Sequence, residues 1–553
     1  MKSKTNYHFV LNEIFCSYRS LVRNLIHCID LNLIIIIVLL GFTYFWGYSG
    51  ENFQSLTAHD EGLYVGRAKL MLEQNNWFTP FSTPHHKTVG SYWLIALSMK
   101  ILGFSEFSAR LPSGICSILC SITLYYISKR ILSIKAALFS SLSLASMPLW
   151  FQYSRYASPD IVYILLVLII ILLLQGININ STLSDRKSKI YTAVIGTLIS
   201  ISFLIRSFMI LLPIFALIPI FIYITGSNTI KLSRYLILGL LIGLLPSLLT
   251  TFVSYREYGT ESLYSIFGFF KDKAIGGNLL KSIIFYPTNI ILLSFPLGLF
   301  SIIGIKPLIS KGNSILNKLF LCPLIIYICL SLISSRHAHY TLVLYPFISL
   351  LAGIAFDKIN SNGPSKTNKL EIVFASLFIL VGFSVLLLTH LTSIGAVDII
   401  SDVDPIFIKS TISISLIYLI IGILSAIRLL NHKQFIYSFC FVILLQTIIF
   451  TNLYSLGLMG NPNPNIKSFI QKNLVSSIIN TEKIYLFDIE GKAKTLLQCY
   501  IPQYRHYNKS LDELSSSKYF IIETSRLIEY ESANATKFNH IATYEKLTLS
   551  KHY

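Results

Sequence analysis

The sequence predicts a mainly α, polytopic membrane protein of about thirteen transmembrane helices followed by a small C-terminal α/β domain. Three observations carry this. The 553 residues are 53% hydrophobic and only 13% charged, whereas a soluble chain carries about 25% charged residues. Apolar runs of bilayer-crossing length, about 17–25 residues, recur from Leu31 to Thr451. Beyond Asn452 the pattern changes, and short strand-like segments, "EKIYLFDI" and "KYFIIET", stand among polar residues.

The first span, 31–49, follows a basic N-terminus with Lys2, Lys4, Arg19 and Arg23. It is too long for a signal-peptide core and no small-x-small site follows it, so it is retained. The others lie at 106–127, 133–152, 158–177, 189–205, 207–224, 235–254, 283–304, 318–334, 340–356, 371–392, 409–427 and 434–452. Segment 88–103, "TVGSYWLIALSMKILG", is short and contains Lys100; it reads as a helix in the membrane interface. Leaving it out of the count puts Lys129, Arg130, Lys135, Arg186, Lys187, Lys231, Lys306, Lys358 and Arg428 in cytoplasmic loops, as the positive-inside bias requires. The same bias accounts for most of the net charge of +19 without nucleic acid. The division is a membrane domain, 1–452, with an external loop at 50–105, and an external domain, 453–553. None of the eight cysteines forms a CxxC pair, so neither a zinc ribbon nor a disulfide framework is indicated.

This topology gathers polar residues on one side. Asp60, Glu61 and Lys87 fall in the first external loop, Arg155 and Asp160 at the next external turn, and Arg206 between two apolar runs. Arg336, His337, His339 and Tyr340 cluster before span 340–356. Ionisable groups at membrane depth are costly and point to function, and carboxylates mixed with Lys and Arg suit a phosphorylated lipid. Local alternatives exist: Asp60 and Asp160 both sit where an acid favours a helix start. His85, His86 and His339 offer a weak metal-ligand set, so a divalent metal ion stays open and no other cofactor is indicated. No inverted repeat and no pair of Gly- or Pro-broken spans stands out, which speaks against a transporter.

The run from "HDEGLYVGRAKLMLEQNNWFTP" through "HHKTVGSYWLIALSMKILGFSEFSARLPS" resembles the bacterial aminoarabinose transferases of lipid A, within the protein O-mannosyltransferase-like family of GT-C glycosyltransferases. The matching features are the Asp60-Glu61 pair, Asn76-Trp77, Lys87 ahead of Tyr92-Trp93, and Arg110 to Ser113. Asp160, Arg206 (usually lysine in the family), Arg336, Tyr340 and Tyr345-Pro346 continue the match. "HKTV" departs from the family's Glu-Lys-Pro-Pro, with His86 for the Glu and Thr88-Val89 for the prolines.

The resemblance implies an inverting transferase in the bacterial inner membrane with its site facing the periplasm. Its partners would be membrane lipids, a polyprenyl-phosphate-linked sugar donor and an acceptor, lipid A or another glycolipid. A protein acceptor is the alternative, and a transporter a more distant one. Asp60 is then expected to orient or deprotonate the nucleophile, with Asp160 as a second carboxylate and Glu61, about 100° round the helix, in a supporting role. Lys87, Arg206, Arg336 and Arg155 are expected to bind substrate, with Tyr340 as a hydrogen-bond donor.

Overall fold

The computed structural model describes residues 30–47, 55–57, 60–81, 84, 87–177, 186–274, 279–310, 319–333, 336–361, 376, 379–380, 382–384, 386–387, 405–426, 432–457, 464–507, 518–534, 538–544 and 546–551. The helices, in order, are α1 (Leu31–Phe45), α2 (Asp60–Glu73), α3 (Gly90–Leu102), α4 (Glu106–Lys129), α5 (Ile134–Ser143), α6 (Pro148–Ser154) and α7 (Asp160–Leu174). They continue with α8 (Arg186–Arg206), α9 (Leu211–Thr225), α10 (Thr229–Tyr258), α11 (Glu261–Ala274), α12 (Leu279–Leu293) and α13 (Leu297–Ser310). Then come α14 (Leu321–Leu332), α15 (Tyr345–Ser361), α16 (Pro405–Ala426) and α17 (His432–Ser455).

Five helices among the described residues are long and apolar enough to cross a membrane, or up to seven if each bent pair is one span. Outward-facing side chains on α10, among them Ile237, Leu241, Leu245 and Phe252, are more than half exposed, as a surface solvated by lipid would be. Inside the bundle, small residues let backbones approach closely. A Cβ on Gly239 would lie 1.9 Å from Ala193 O, and one on Gly196 2.2 Å from Leu236 O, so α8 and α10 meet at a seam that admits no larger side chain. Segment 88–103 contains α3, 13 residues long; at 1.5 Å per residue it reaches about 20 Å, short of the hydrocarbon core. The expected span 371–392 falls mostly outside the described residues.

Two expected continuous spans are broken. Within 133–152 the chain bends by 74° between Ser146 and Pro148, and within 283–304 by 106° between Leu293 and Leu297. A proline stands at each break, Pro148 and Pro296, where it removes a backbone donor and ends the ladder. The carbonyls left over need a partner, and Gln446 on α17 provides it. Its Nε2 donates to Ser146 O at 3.2 Å and to Phe295 O at 3.1 Å, while Tyr418 Oη donates to its Oε1. The expectation of unbroken spans therefore fails, but both breaks are sealed by protein.

From Pro464 the chain forms α18 (Pro464–Gln471), α19 (Asn473–Thr481), β1 (Ile484–Phe487), α20 (Gly491–Tyr500), β2 (Tyr504–Tyr507), β3 (Tyr519–Glu523), α21 (Thr524–Asn534), β4 (Asn539–Tyr544) and β5 (Leu547–Lys551). The strands make one sheet in the order β2-β1-β3-β5-β4. β1 runs parallel to β2 and β3, and the β3–β5 and β5–β4 pairs are antiparallel. One face, with Phe520 and Ile522, packs with Leu527 and Phe538. The other joins the first-loop helices: Tyr64, Val65, Met71 and Ile95 share a core with Phe469, Val475, Ile484, Leu497 and Leu549.

α2 is the element both units use. Its Gly62 and Gly66 lie against α20, where a Cβ would come within 3.0 Å of Thr495 and 3.3 Å of Cys499 Sγ. Lys69 Nζ, in the same face, donates to the carbonyls of Gln498, Cys499 and Ile501 at 3.2, 3.0 and 2.7 Å. These are the orphan acceptors at the end of α20, and a lysine there also suits the helix dipole. Burial pushes the Lys69 pKa down, with Glu73 opposing.

Candidate functional site at the helix ends

Asp160 opens α7, directly after Pro159, and Arg206 closes α8. Their side chains meet in an ion pair of 2.7 Å, both nearly buried. The chain leaves Arg206 through Ser207, whose φ of +54° lies in the left-handed region; this is strained for a residue with a Cβ, and such strain collects at functional positions. Arg206 Nη1 also donates to Tyr64 Oη at 3.2 Å. On the far side of Tyr64, Lys87 Nζ stands 4.5 Å from the ring centroid. Lys87, Tyr64, Arg206 and Asp160 thus form one chain of contacts drawn from the first loop and two spans.

Arg206 is also close enough to interact electrostatically with Tyr340 and Tyr153. Rings line this side: Tyr153 stacks on His339 at 5.7 Å and lies 5.3 Å from Tyr156, and His339 lies 4.7 Å from Tyr340. Arg336 Nε donates to Ser282 Oγ at 2.9 Å, and Arg336 and Tyr340 share Tyr286 as an electrostatic neighbour. The opposite end of the bundle has its own polar contacts, Lys129–Asp30 at 2.9 Å and Ser133–Asp357 at 2.5 Å.

The two adjacent acids of the first loop differ. Glu61 is fully buried, and Arg110 grips it in a bidentate pair, Nε to Oε1 at 2.6 Å and Nη2 to Oε2 at 2.8 Å. The backbone N–H groups of Thr57 and Ala157 donate to the same two oxygens at 2.7 and 2.9 Å. With four donors on one carboxylate, Glu61 ties the start of α2 to α4 and to the turn before α7. Asp60 begins α2 one helical turn before Tyr64, and its side chain lies outside the described residues. Arg155, expected beside the substrate, instead donates from Nη1 to Thr43 O at 3.0 Å and from Nη2 to Trp46 O at 2.7 Å, holding the carbonyl end of α1.

The structure therefore brings Lys87, Asp160, Arg206 and Tyr340 together, keeps Arg336 beside Tyr340, and sets Arg155 and Glu61 to bracing. Of the weak histidine set, His85 and His86 lie outside the described residues and His339 stacks on Tyr153. No group of three or more His, Cys, Asp or Glu suited to a metal ion occurs among the described residues. Thr88, which departs from the family pattern, donates to Phe203 O at 3.1 Å and so pins the start of α3 to α8. The sequence reading missed Tyr64, which stands between Lys87 and Arg206. Its spacing of four residues from Asp60 places both on one helical face and was the available signal.

A family model described as dolichyl-phosphate-mannose-protein mannosyltransferase matches residues 86–250, which include Lys87, Asp160 and Arg206. The crystal structure of ArnT from Cupriavidus metallidurans bound to undecaprenyl phosphate superposes with a TM-score of 0.71, covering 94% of this chain and 97% of that one at 13% identity. The fold is that of the ArnT-like GT-C glycosyltransferases. Two relatives are similar in sequence. The undecaprenyl phosphate-alpha-4-amino-4-deoxy-L-arabinose arabinosyl transferase of Wigglesworthia glossinidia brevipalpis is 28% identical over 185 residues, 32% of each protein. An uncharacterized protein of Aquifex aeolicus is 27% identical over 331 residues, 58% of this chain and 73% of its own. The GT-C expectation is borne out.

Proposed function

We propose that the protein is an inverting glycosyltransferase. It moves a sugar, an aminosugar by the family pattern, from an undecaprenyl-phosphate donor to lipid A or a related envelope glycolipid. The reaction is placed at the periplasmic face of the bacterial inner membrane. The observation that supports it most is the contact chain Lys87–Tyr64–Arg206–Asp160 at the helix ends of an ArnT-like fold.

In this reading the acceptor oxygen attacks the anomeric carbon from the face opposite the phosphate. The bond from that carbon to the phosphate oxygen breaks, and the phosphate leaves with the bonding pair. Lys87 and Arg336 stabilise the charge gathering on the phosphate, with Tyr340 as a further donor. Asp160 neutralises and orients Arg206, so Arg206 presents a fixed group rather than a mobile cation. Asp60 orients the acceptor or takes its proton. A lipid A phosphate has a second pKa of about 6, by analogy with other phosphate monoesters, and arrives as an anion; Asp60 then acts by position. A hydroxyl acceptor needs it as a base.

Mass spectrometry of lipid A from cells expressing the protein and its Asp60→Asn variant tests this. A sugar added by the first and missing with the second, at equal amounts of membrane-inserted protein, is expected. Normal transfer by Asp60→Asn sinks the assignment of roles. The description of the family model favours a second reading, transfer to protein Ser or Thr. Unchanged lipid A together with glycan lost from periplasmic proteins would decide for it.

A further inference from the structure

Among the described residues, several largely buried cations near the first loop have anionic or carbonyl partners. Arg110 has Glu61, Arg206 has Asp160, Lys467 has Glu106 at 2.8 Å, and Lys69 has three carbonyls. Arg67 has two rings and a phenol. Its guanidinium carbon stands 5.2 Å from the Phe81 ring centroid and 5.9 Å from that of Tyr92, and Nη1 lies 3.4 Å from Tyr92 Oη. Among the described residues no carboxylate pairs with it. Burial pushes its pKa down, and only the Tyr92 and Tyr64 hydroxyls oppose this. Cation–π contact offsets part of that desolvation, about 0.5–2 kcal/mol, and leaves the guanidinium fork short of an acceptor.

The position is specific. Arg67 follows Tyr64 by three residues on α2, so both share a helical face. The Tyr64 and Tyr92 rings are 5.5 Å apart. Lys87 stands over one ring of this pair and Arg67 over the other. Phe81 belongs to the external loop, where its carbonyl accepts from Tyr258 Oη at 2.5 Å. Arg67 therefore lies on the loop side of the aromatic pair, while Arg206, Asp160 and Arg336 lie at the span ends.

We propose that Arg67 is a specificity residue of this site, holding an anionic phosphate or carboxylate of the acceptor headgroup apart from the donor phosphate. A guanidinium oriented by two rings suits bidentate contact with such a group. The word acceptor rests on the transferase reading above; the anion subsite does not.

The test is binding to the full-length protein in detergent micelles, with diphosphoryl lipid A, its dephosphorylated form and undecaprenyl phosphate as probes. Wild type should prefer diphosphoryl to dephosphorylated lipid A. Arg67→Gln should weaken the phosphorylated form about tenfold and leave the other two probes unchanged. Arg67→Lys, which keeps the charge, should restore part of the preference, and this separates binding from a packing defect in Arg67→Gln. A wild type without the preference, a preference surviving in Arg67→Gln, or a variant that loses undecaprenyl phosphate instead would each overturn the proposal. If wild type ignores undecaprenyl phosphate while the Arg67-dependent preference holds, the transferase reading falls and the anion subsite stands.

Discussion

Glu61 and Arg110 are the pair whose loss should cost most. Both are almost completely buried, 0% and 4% exposed at the side chain. Removing one partner of such a pair leaves a charge in a dry site, about 3–5 kcal/mol. Glu61→Gln should therefore lower the melting temperature and the yield of folded protein in detergent, and Arg110→Met should do the same. The double variant should recover part of the loss, as expected for coupled neighbours. A normal melting temperature in either single variant would contradict the bracing role. The sequence brought Asp60 and Glu61 forward as an adjacent pair, and helical geometry already separated them by about 100°. What it lacked was Arg110, 49 residues away, because a partner that distant leaves no local pattern. Arg155 has distant partners of the same kind: its guanidinium donates to the carbonyls of Thr43 and Trp46, which no local pattern around a basic residue at a span end reveals.

At the scale of elements, α2 presents three working faces within 14 residues. Glu61, Val65 and Ala68 are buried, Gly62, Gly66 and Lys69 meet α20, and Tyr64 and Arg67 meet the cations and rings of the site. Gly66→Leu should push α20 away, because the added Cβ already stands 3.3 Å from Cys499 Sγ. Overpacking of this kind costs about 1–3 kcal/mol. Limited proteolysis should cut the residues after Pro464 faster, and transfer should fall although no site residue has changed. Unaltered proteolysis would show that the seam tolerates a larger side chain. The sequence made this helix legible as a short element after the first apolar run, and its apolar runs made several spans legible too. The bends at Pro148 and Pro296 were not legible. Proline occurs inside several other helices here, α9 and α10 among them, so its presence alone does not say where a helix breaks. The position of Gln446 does, and that is a tertiary fact.

For the whole molecule, the shared core makes the C-terminal unit part of the site's foundation. Most of the buried apolar side chains packed with α2 and α3 come from residues beyond Pro464, although no residue expected in the reaction lies there. A chain ending at residue 463 should insert in the membrane and fail to modify lipid A in cells. The same measurement on the full chain is the reference, and retained transfer would mean that α2 is held by the spans alone.

The Lys69 contact with Ile501 carries a consequence for how the protein is made. The two residues are 432 positions apart, and ribosomes add about 5–20 residues per second. Lys69 emerges roughly 20–90 s before its last carbonyl partner exists. During that interval α2 and α3 exist while most of the core they pack into is still unmade. Synthesis interrupted before Ile501 should therefore leave α2 without the packing and the carbonyl contacts that hold its Tyr64 and Arg67 in place.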